Sequence, residues 1–148
     1  MSTVETIIVT HPGDMARVTG LVDGLAARHR LPGDAVADMQ VALDEVLTNI
    51  ITHGFSGPGR HEIRVRLTLE GDCLEAEVED DGRPFDPLAV PAPQLGGSLQ
   101  EREPGGLGIH FVRALMSEVA YSLVDNKNRL VLRRRLGGRT EGDRRGRT

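Results

Sequence analysis

A chain of 148 residues, 39% hydrophobic and 27% charged, is long enough to bury the core of one globular domain. The net charge of −4 and the 3% content of aromatic residues argue against a nucleic-acid-binding surface. No apolar run is long enough to span a bilayer, and residues 1–15 lack a signal-peptide pattern, so we expect a cytoplasmic protein without membrane contact. The single cysteine, Cys73, has no partner for an internal disulfide, and we interpret it as an inert strand residue.

The first third of the chain predicts one strand and two helices. β-Branched residues predict a strand over residues 4–10, which His11-Pro12-Gly13 ends. Asp14 is expected to cap the first helix, whose predicted buried stripe is Met15, Val18, Val22, Leu25 and His29. Asp34 is expected to cap a central helix that ends near Gly54 and buries Val36, Met39, Leu43, Val46, Leu47, Ile50 and Ile51.

A β-hairpin is predicted after a Gly/Pro loop at residues 55–60. Apolar residues alternate with charged ones over residues 63–69 and again over residues 74–79. A two-residue turn at Gly71-Asp72 fixes the register of the two strands. It places Leu67 opposite Ala76, Val65 opposite Val78, Arg66 opposite Glu77 and Arg64 opposite Glu79, so apolar pairs share one face and opposite charges share the other.

The remainder of the chain predicts a lid, a helix and a second hairpin. Five of the eight prolines lie in residues 83–104, and we predict that residues 88–104 form an irregular lid. The segment Gly105-Gly106-Leu107-Gly108 opens a helix whose apolar residues are Ile109, Val112, Leu115, Met116 and Val119. Strands are expected at about 119–124 and 129–136, joined by residues 125–128. The domain then covers residues 1–136, and residues 137–148, which lack apolar side chains, are predicted to be a disordered basic tail.

The order strand, helix, helix, hairpin, lid, helix, hairpin predicts an α+β fold in two layers. Its simplest packing is a mixed, mostly antiparallel sheet of about five strands with the helices on one face. The other face of the sheet is then open or covered by a partner. The arginines near the end of the chain, at positions 133–135 and in the tail, are interpreted mostly as solvated residues at a strand end.

The polar face of the central helix has two interpretations. Glu45 and Asn49 lie one turn apart opposite the apolar stripe, and Thr52 and His53 continue their line. A solvated face is the ordinary explanation of such a pattern. Asn and Thr are poor helix formers, however, and a carboxylate, a carboxamide and an imidazole at this spacing suit a base, a metal ligand and a phosphate contact.

Two further stretches carry chemistry. Glycines 105, 106 and 108 leave backbone N–H groups accessible at a helix start, where the helix dipole attracts phosphates. Asp80, at a strand end, can accept a hydrogen bond from an amine, and Gly82 lets a ring approach the backbone. Asn49 offers an oxygen suited to Mg²⁺, and Glu45 is placed to deprotonate an attacking hydroxyl or water. A helix-end imidazole such as His53 is either a phosphate contact or a structural residue.

These motifs resemble those of the GHKL ATP-binding superfamily, which includes DNA gyrase, histidine kinases and MutL. The similar segments are Asp44-Glu45-x-x-x-Asn49, Asp80-Asp81-Gly82 and Gly105-Gly106-Leu107-Gly108. More narrowly, Ala42-Leu43-Asp44-Glu45, His53-Gly54, residues 81–87 and residues 105–116 resemble the bacterial anti-sigma-factor serine kinases. The resemblance covers about residues 5–136. It rests on three motifs in the right order and at sensible spacing, because Asp-Gly and Gly-x-Gly pairs taken singly mark turns in many proteins.

The resemblance implies a function and a set of site residues. It implies ATP and Mg²⁺ as cofactors, Glu45 as catalytic base, Asn49 as metal ligand, and nucleotide contacts from a set of residues comprising Asn49, His53, Asp80, Gly82, Gly105, Gly106, Leu107, Gly108 and Ile109. Asn128 stands where this fold often carries a nucleotide-binding Thr, and Arg102 is either a contact to the terminal phosphate or a solvated loop residue.

The resemblance also implies partners. It implies a kinase that binds a sigma factor, phosphorylates a Ser or Thr of a STAS-domain antagonist, and forms a homodimer through its sheet. Two alternatives remain open at this point. One is a nucleotide-dependent module that sequesters a partner without transferring phosphate, and the other is a stand-alone histidine-kinase-like ATPase domain.

Overall fold

The computed structural model describes residues 2–54, 61–89 and 106–137. It contains the strands β1 (Ser2–Val9), β2 (Ile63–Glu70), β3 (Cys73–Asp80), β4 (Glu118–Val124) and β5 (Lys127–Arg135). It also contains the helices α1 (Met15–His29), α2 (Gly33–Asn49) and α3 (Gly106–Leu115). Short 3₁₀ turns lie at Pro12–Asp14 and Pro87–Ala89, and a π-helical turn, Ile50–Gly54, continues α2.

The five strands form one sheet in the order β1-β2-β3-β5-β4. All strand pairs of the described residues are antiparallel, so the mixed sheet that the sequence allowed is not found in this part of the chain. The β2–β3 register confirms the predicted hairpin, since Leu67 pairs with Ala76 and Arg66 with Glu77. Gly71 has a φ of 61°, a conformation that favours glycine at this turn.

One face of the sheet and the three helices enclose a single apolar core. The strands contribute alternate residues, and the helices contribute their apolar stripes. The fully covered side chains with the largest volumes include Leu25, Met39, Leu43, Leu47, Leu67 and Leu132. The predicted α+β fold in two layers, with a helix layer on one face of the sheet, is therefore confirmed.

The other face of the sheet is open and bears rows of alternating charge. Glu77 on β3 lies between Arg66 on β2, at 3.5 Å, and Arg129 on β5, at 2.8 Å. Glu79 lies in the same way between Arg64 and Lys127. Each row therefore runs positive, negative, positive across neighbouring strands, and we call this surface the charged sheet face.

Two predicted helix caps are not found. Pro32 occupies the N-cap position of α2, and Asp34 lies in the first turn of the helix, where it pairs with Arg134. Asp14 occupies the N-cap position of α1 but makes no capping bond, because its carboxylate accepts hydrogen bonds from Thr10 and Arg17 instead.

Two predicted exposures are also wrong. His29 is exposed rather than part of the buried stripe of α1, because it lies in the last turn of the helix, beyond the core. Arg134 is fully buried, not solvated. It points from β5 toward α2, where its Nε donates to Asp38 Oδ2 at 3.1 Å.

Several predicted segments lie outside the described residues. These are the Gly/Pro loop at 55–60, the lid beyond Ala89, and the basic tail beyond Gly137. The second hairpin is shorter in its turn than predicted, because Asp125 and Asn126 alone connect β4 to β5. Both residues have positive φ, at 52° and 63°, as a type I′ hairpin turn requires.

Candidate active site

Helix α2 places Glu45 and Asn49 against the start of α3. Both side chains are partly exposed and lie one turn apart. A Cβ atom added to Gly108 would lie 2.6 Å from Glu45 Oε2 and 3.6 Å from Asn49 Nδ2. The absence of a side chain at Gly108 is therefore what allows the Glu45 carboxylate to approach the α3 backbone. The structure thus brings Glu45, Asn49 and Gly108 together.

The start of α3 presents the backbone N–H groups of its first turn. Gly106, Leu107, Gly108 and Ile109 form this turn, and helix geometry leaves their N–H groups without partners in the helix. The Ile109 side chain is 4% exposed and belongs to the core, so only its backbone can contact a ligand. These N–H groups and the helix dipole suit an anionic phosphate.

The α2 helix changes geometry directly after Asn49. Residues 50–54 form a π-helical turn, which winds more widely than the α-helix that the sequence predicted to continue to Gly54. The α-helical spacing that aligned His53 with Glu45 therefore does not apply beyond Asn49. The side chain of His53 lies outside the described residues, as do Arg102 and Gly105, so their roles remain predictions.

Asp80 ends β3 on the side of the sheet that faces the helices. Its side chain is 6% exposed, and its Oδ1 accepts hydrogen bonds from Gly82 N at 2.8 Å and Asn128 Nδ2 at 3.2 Å. Burial raises the pKa of the Asp80 carboxyl, and these two donors oppose the rise by stabilising its ionised form. Oδ2 accepts no hydrogen bond from the described residues and so can accept one from a ligand.

Asn128 lies opposite Asp80 across the β3–β5 ladder and holds the loop that follows Asp80. Its Nδ2 lies 3.3 Å from the Gly82 carbonyl and 3.0 Å from the Arg83 carbonyl. Its Oδ1 accepts from Phe85 N at 3.1 Å and from the Tyr121 hydroxyl. At 8% exposed, Asn128 is a buried residue, and both ends of its carboxamide bind protein groups.

Tyr121 is the residue of this region that the sequence argument missed. A signal was present, because it is the single tyrosine of the chain and its spacing from Val119 and Leu123 places it on the core-facing side of β4. A buried hydroxyl on that side needs a hydrogen-bond partner. The strand order that brings it beside Asn128 is not encoded in local sequence.

The donor set fits a magnesium ion that is held mainly by phosphates and water. Within residues 2–54, 61–89 and 106–137, no group of three or more His, Cys, Asp or Glu side chains is placed to hold a metal ion. Asn49 and Glu45 both carry side-chain oxygens and lie beside the start of α3. Mg²⁺ commonly binds through one or two protein oxygens together with substrate phosphates.

Two residue groups thus form the candidate site. Glu45, Asn49 and the first turn of α3 form the first group, and Asp80, Gly82 and Asn128 form the second.

Cys73 is free and lies at the start of β3, where burial raises the pKa of its thiol, so its thiolate population is low. None of the helices in the described part of the chain is long and apolar enough to cross a membrane.

Comparison with known proteins shows a family. A family model described as a histidine kinase-like ATPase domain matches residues 8–134. The chain is 32% identical over 113 residues to the serine/threonine-protein kinase BtrW of Bordetella bronchiseptica, covering 75% of this chain and 78% of that protein. It is 30% identical over 102 residues to the serine-protein kinase RsbW of Listeria monocytogenes, covering 66% of this chain and 65% of that protein.

A solved structure shows the same fold. The crystal structure of the RsbU and RsbW domains of Rv1364c from Mycobacterium tuberculosis matches 89% of this chain with a TM-score of 0.60 and 18% identity. The match spans 32% of that longer chain. With the matched family model and the similar protein kinases, the chain belongs to the histidine kinase-like ATPase (GHKL) family and is similar within it to bacterial serine-protein kinases.

Proposed function

We propose that the protein is an ATP-dependent serine kinase that binds a sigma factor and phosphorylates a Ser or Thr of a STAS-domain antagonist. The observation that carries the proposal is the approach of Glu45 to the start of α3, 2.6 Å from the Cβ position of Gly108. This places a carboxylate directly beside the N–H groups that suit a phosphate. The similarity to proteins named serine-protein kinases supports the same activity.

The surroundings of Glu45 support its proposed function as a base. It lies one turn from Asn49 and beside the phosphate-binding turn, within reach of a hydroxyl that approaches the terminal phosphate. In this position its carboxylate accepts the hydroxyl proton as the oxygen attacks phosphorus, a contribution that is typically about 10²–10⁴-fold in rate. When bound, Mg²⁺ neutralises phosphate charge, and Asn49 is the proposed protein ligand to it.

Adenine recognition is assigned to the second group of the site. Asp80 Oδ2 has no partner in the described residues, and we propose that it accepts a hydrogen bond from the exocyclic amine of adenine. Gly82, whose N–H is bonded to Asp80, lies in the loop against which the ring packs. The phosphates extend from there to the first turn of α3.

The charged sheet face supports the proposal of a homodimer. A two-fold axis that runs along the strands between β2 and β3 lays the β2 arginines of one protomer over the β3 glutamates of its partner. Arg64 and Arg66 then face Glu79 and Glu77 in both directions. Because sigma factors act in the cytoplasm, we propose that this dimer acts there.

A phosphoryl-transfer assay with partner binding tests the proposal. The protein is incubated with Mg²⁺ and ATP labelled at the γ-phosphate, together with candidate STAS-domain proteins encoded beside its gene. We expect label on one Ser or Thr of a STAS protein, and nucleotide-dependent capture of a sigma factor by the unlabelled protein. Capture without label on any STAS protein indicates a sequestering module, and label on a histidine of another protein indicates a histidine-kinase-like domain. Either result contradicts the proposal.

A further inference from the structure

The buried carboxamide of Asn128 is organised by two donors and several acceptors. Its oxygen accepts hydrogen bonds from the Phe85 N–H and the Tyr121 hydroxyl. Its nitrogen donates to the carbonyls of Gly82 and Arg83 and to the Asp80 carboxylate. A backbone N–H cannot accept a hydrogen bond, and a carbonyl cannot donate one. Only one orientation of the amide therefore satisfies these groups.

These contacts give the two carboxylate oxygens of Asp80 different roles. Oδ1 is bound by Gly82 N and by Asn128 Nδ2. These contacts leave Oδ2 as the oxygen that can turn to a ligand. If the Asn128 amide were absent or reversed, Oδ1 would lose one of its two donors and only Gly82 N would hold the carboxylate in place.

We propose that Asn128, held by Tyr121, is a positioning residue that directs Asp80 toward the 6-amino group of an adenine base and so sets base selectivity. The inference rests on the proposed nucleotide-binding function, and it assigns Asn128 to Asp80 and the 82–85 loop instead of to the ligand. Tyr121 acts one step further away, because its hydroxyl fixes the carboxamide from the β4 side. Neither side chain needs to touch the nucleotide.

The proposal has a pH signature. An ionised Asp80 accepts a hydrogen bond from an amine, whereas a protonated one has lost part of that capacity. Burial raises the pKa of Asp80 and the Asn128 amide lowers it, so removing the amide raises the pKa further. The loss of adenine affinity on acidification then begins at a higher pH in the variant.

The other charged groups near Asp80 are the same in every variant. Asp80 borders a groove at one end of the charged sheet face, and the charged residues that line this groove with it are Glu62, Arg64, Glu79, Asp81 and Lys127. Glu79 lies on β3 and Asp81 directly follows that strand. Arg64 lies on β2, Glu62 directly precedes β2, and Lys127 lies on β5. Since none of them is changed, their contributions and the titration of the nucleotide itself cancel when variants are compared.

The test compares ADP with IDP, which carries an oxygen in place of the 6-amino group. Affinities of wild type, Asn128→Leu, Tyr121→Phe and Ser122→Ala are measured by calorimetry with Mg²⁺ from pH 5 to pH 8. Ser122→Ala is the matched control, because it removes an exposed hydroxyl beside Tyr121 on the opposite side of β4. Thermal melts report which variants fold.

The expected result is specific to base and pH. Wild type and Ser122→Ala prefer ADP by about 10-fold or more, the scale for leaving a buried polar group unpaired. Asn128→Leu reduces that preference to about 2-fold, and the pH midpoint for ADP affinity rises by at least about 0.5 unit. Tyr121→Phe changes both quantities in the same direction by a smaller amount. If Asn128→Leu does not fold, Tyr121→Phe decides.

Four results overturn the proposal. Folded variants that keep both the preference and the pH midpoint assign Asn128 and Tyr121 to stability alone, as does an equal loss of ADP and IDP affinity at every pH. If the wild-type protein binds ADP and IDP equally, Asp80 does not recognise the base, although the protein still binds nucleotide. Wild type that binds neither refutes the proposed function, and the inference with it.

Discussion

Replacing Gly108 with alanine tests the contact on which the proposed mechanism rests. The added Cβ would lie 2.6 Å from Glu45 Oε2, whereas such contacts are essentially never shorter than 3.0 Å, so the carboxylate must retreat by at least 0.4 Å. The Glu45 side chain is flexible and partly exposed, so the fold accommodates this shift. A displacement of about 1 Å in a catalytic group can lower a rate by about 10², and we expect transfer to fall by about 10- to 100-fold.

The stability of the Gly108→Ala variant should not fall with its transfer rate. Alanine favours a helix over glycine by about 1 kcal/mol, so the free energy of unfolding is expected to stay unchanged or rise. Gly20→Ala is the matched control, because Gly20 lies within α1 and a Cβ there meets nothing within 4 Å. That control should gain similar stability and keep full transfer activity.

The assay is single-turnover transfer of labelled phosphate to the STAS partner, with urea unfolding measured in parallel. A double-mutant cycle with Glu45→Gln identifies the route of the effect. If Gly108→Ala acts through Glu45, it causes no further loss once Glu45 has been replaced. Two results would refute the assignment of Gly108 as the residue that lets Glu45 approach α3. One is full activity of Gly108→Ala, and the other is an equal loss of activity in the wild-type and Glu45→Gln backgrounds.

Three further predictions concern buried charges. Arg134→Met leaves Asp38 buried without its cation and should lower the free energy of unfolding by about 3–5 kcal/mol, and adding Asp38→Leu should restore most of it. Asp80→Asn should raise the free energy of unfolding at neutral pH, because the raised pKa of Asp80 shows that its buried charge opposes folding above that pKa. The same change should lower adenine nucleotide affinity by about 5- to 100-fold, because it removes the proposed acceptor for the adenine amine. Asp14→Asn should lower stability near neutral pH, and the deficit should shrink as the pH falls from about 4 toward 2, since hydrogen bonding from Thr10 holds the pKa of Asp14 at about 2 against an ordinary 3.8.

Urea unfolding across pH checks all three, with calorimetry added for Asp80→Asn. A cost below about 1 kcal/mol for Arg134→Met would contradict a buried pair, since exposed pairs contribute that little. For Asp80→Asn, reduced stability at pH 7 together with unchanged affinity is the opposing result. For Asp14→Asn, a deficit that stays constant down to pH 2 would show that the carboxylate charge is not its source.

The hairpin and the site motifs were predictable because each depends on residues close in sequence. Alternation and the Gly71-Asp72 turn fix the β2–β3 register without reference to the rest of the fold. Helical spacing likewise placed Glu45 and Asn49 on one side of α2. Glycine at position 108 was predicted for phosphate binding, but its contact with Glu45 was not predicted, because it depends on how α2 and α3 pack.

The missed features depend on the order of strands. β5 lies between β3 and β4, which sets Asn128 opposite Asp80 and brings Tyr121 within reach. The same placement buries Arg134 against Asp38, although an arginine at a strand end is usually solvated. Asp34 was expected to be a cap, yet it serves as the outer partner of Arg134, a pairing across 100 residues that no local pattern encodes.

The most direct measurement of the central claim is single-turnover phosphoryl transfer by Glu45→Gln beside Asp44→Asn. The two carboxylates are adjacent on α2, but Glu45 faces Gly108, whereas Asp44 lines a groove between α1 and α2. If Glu45 is the base, its replacement lowers transfer by about 10²–10⁴ while nucleotide affinity stays within a few-fold, and Asp44→Asn transfers normally. Equal transfer rates in the two variants would contradict the claim.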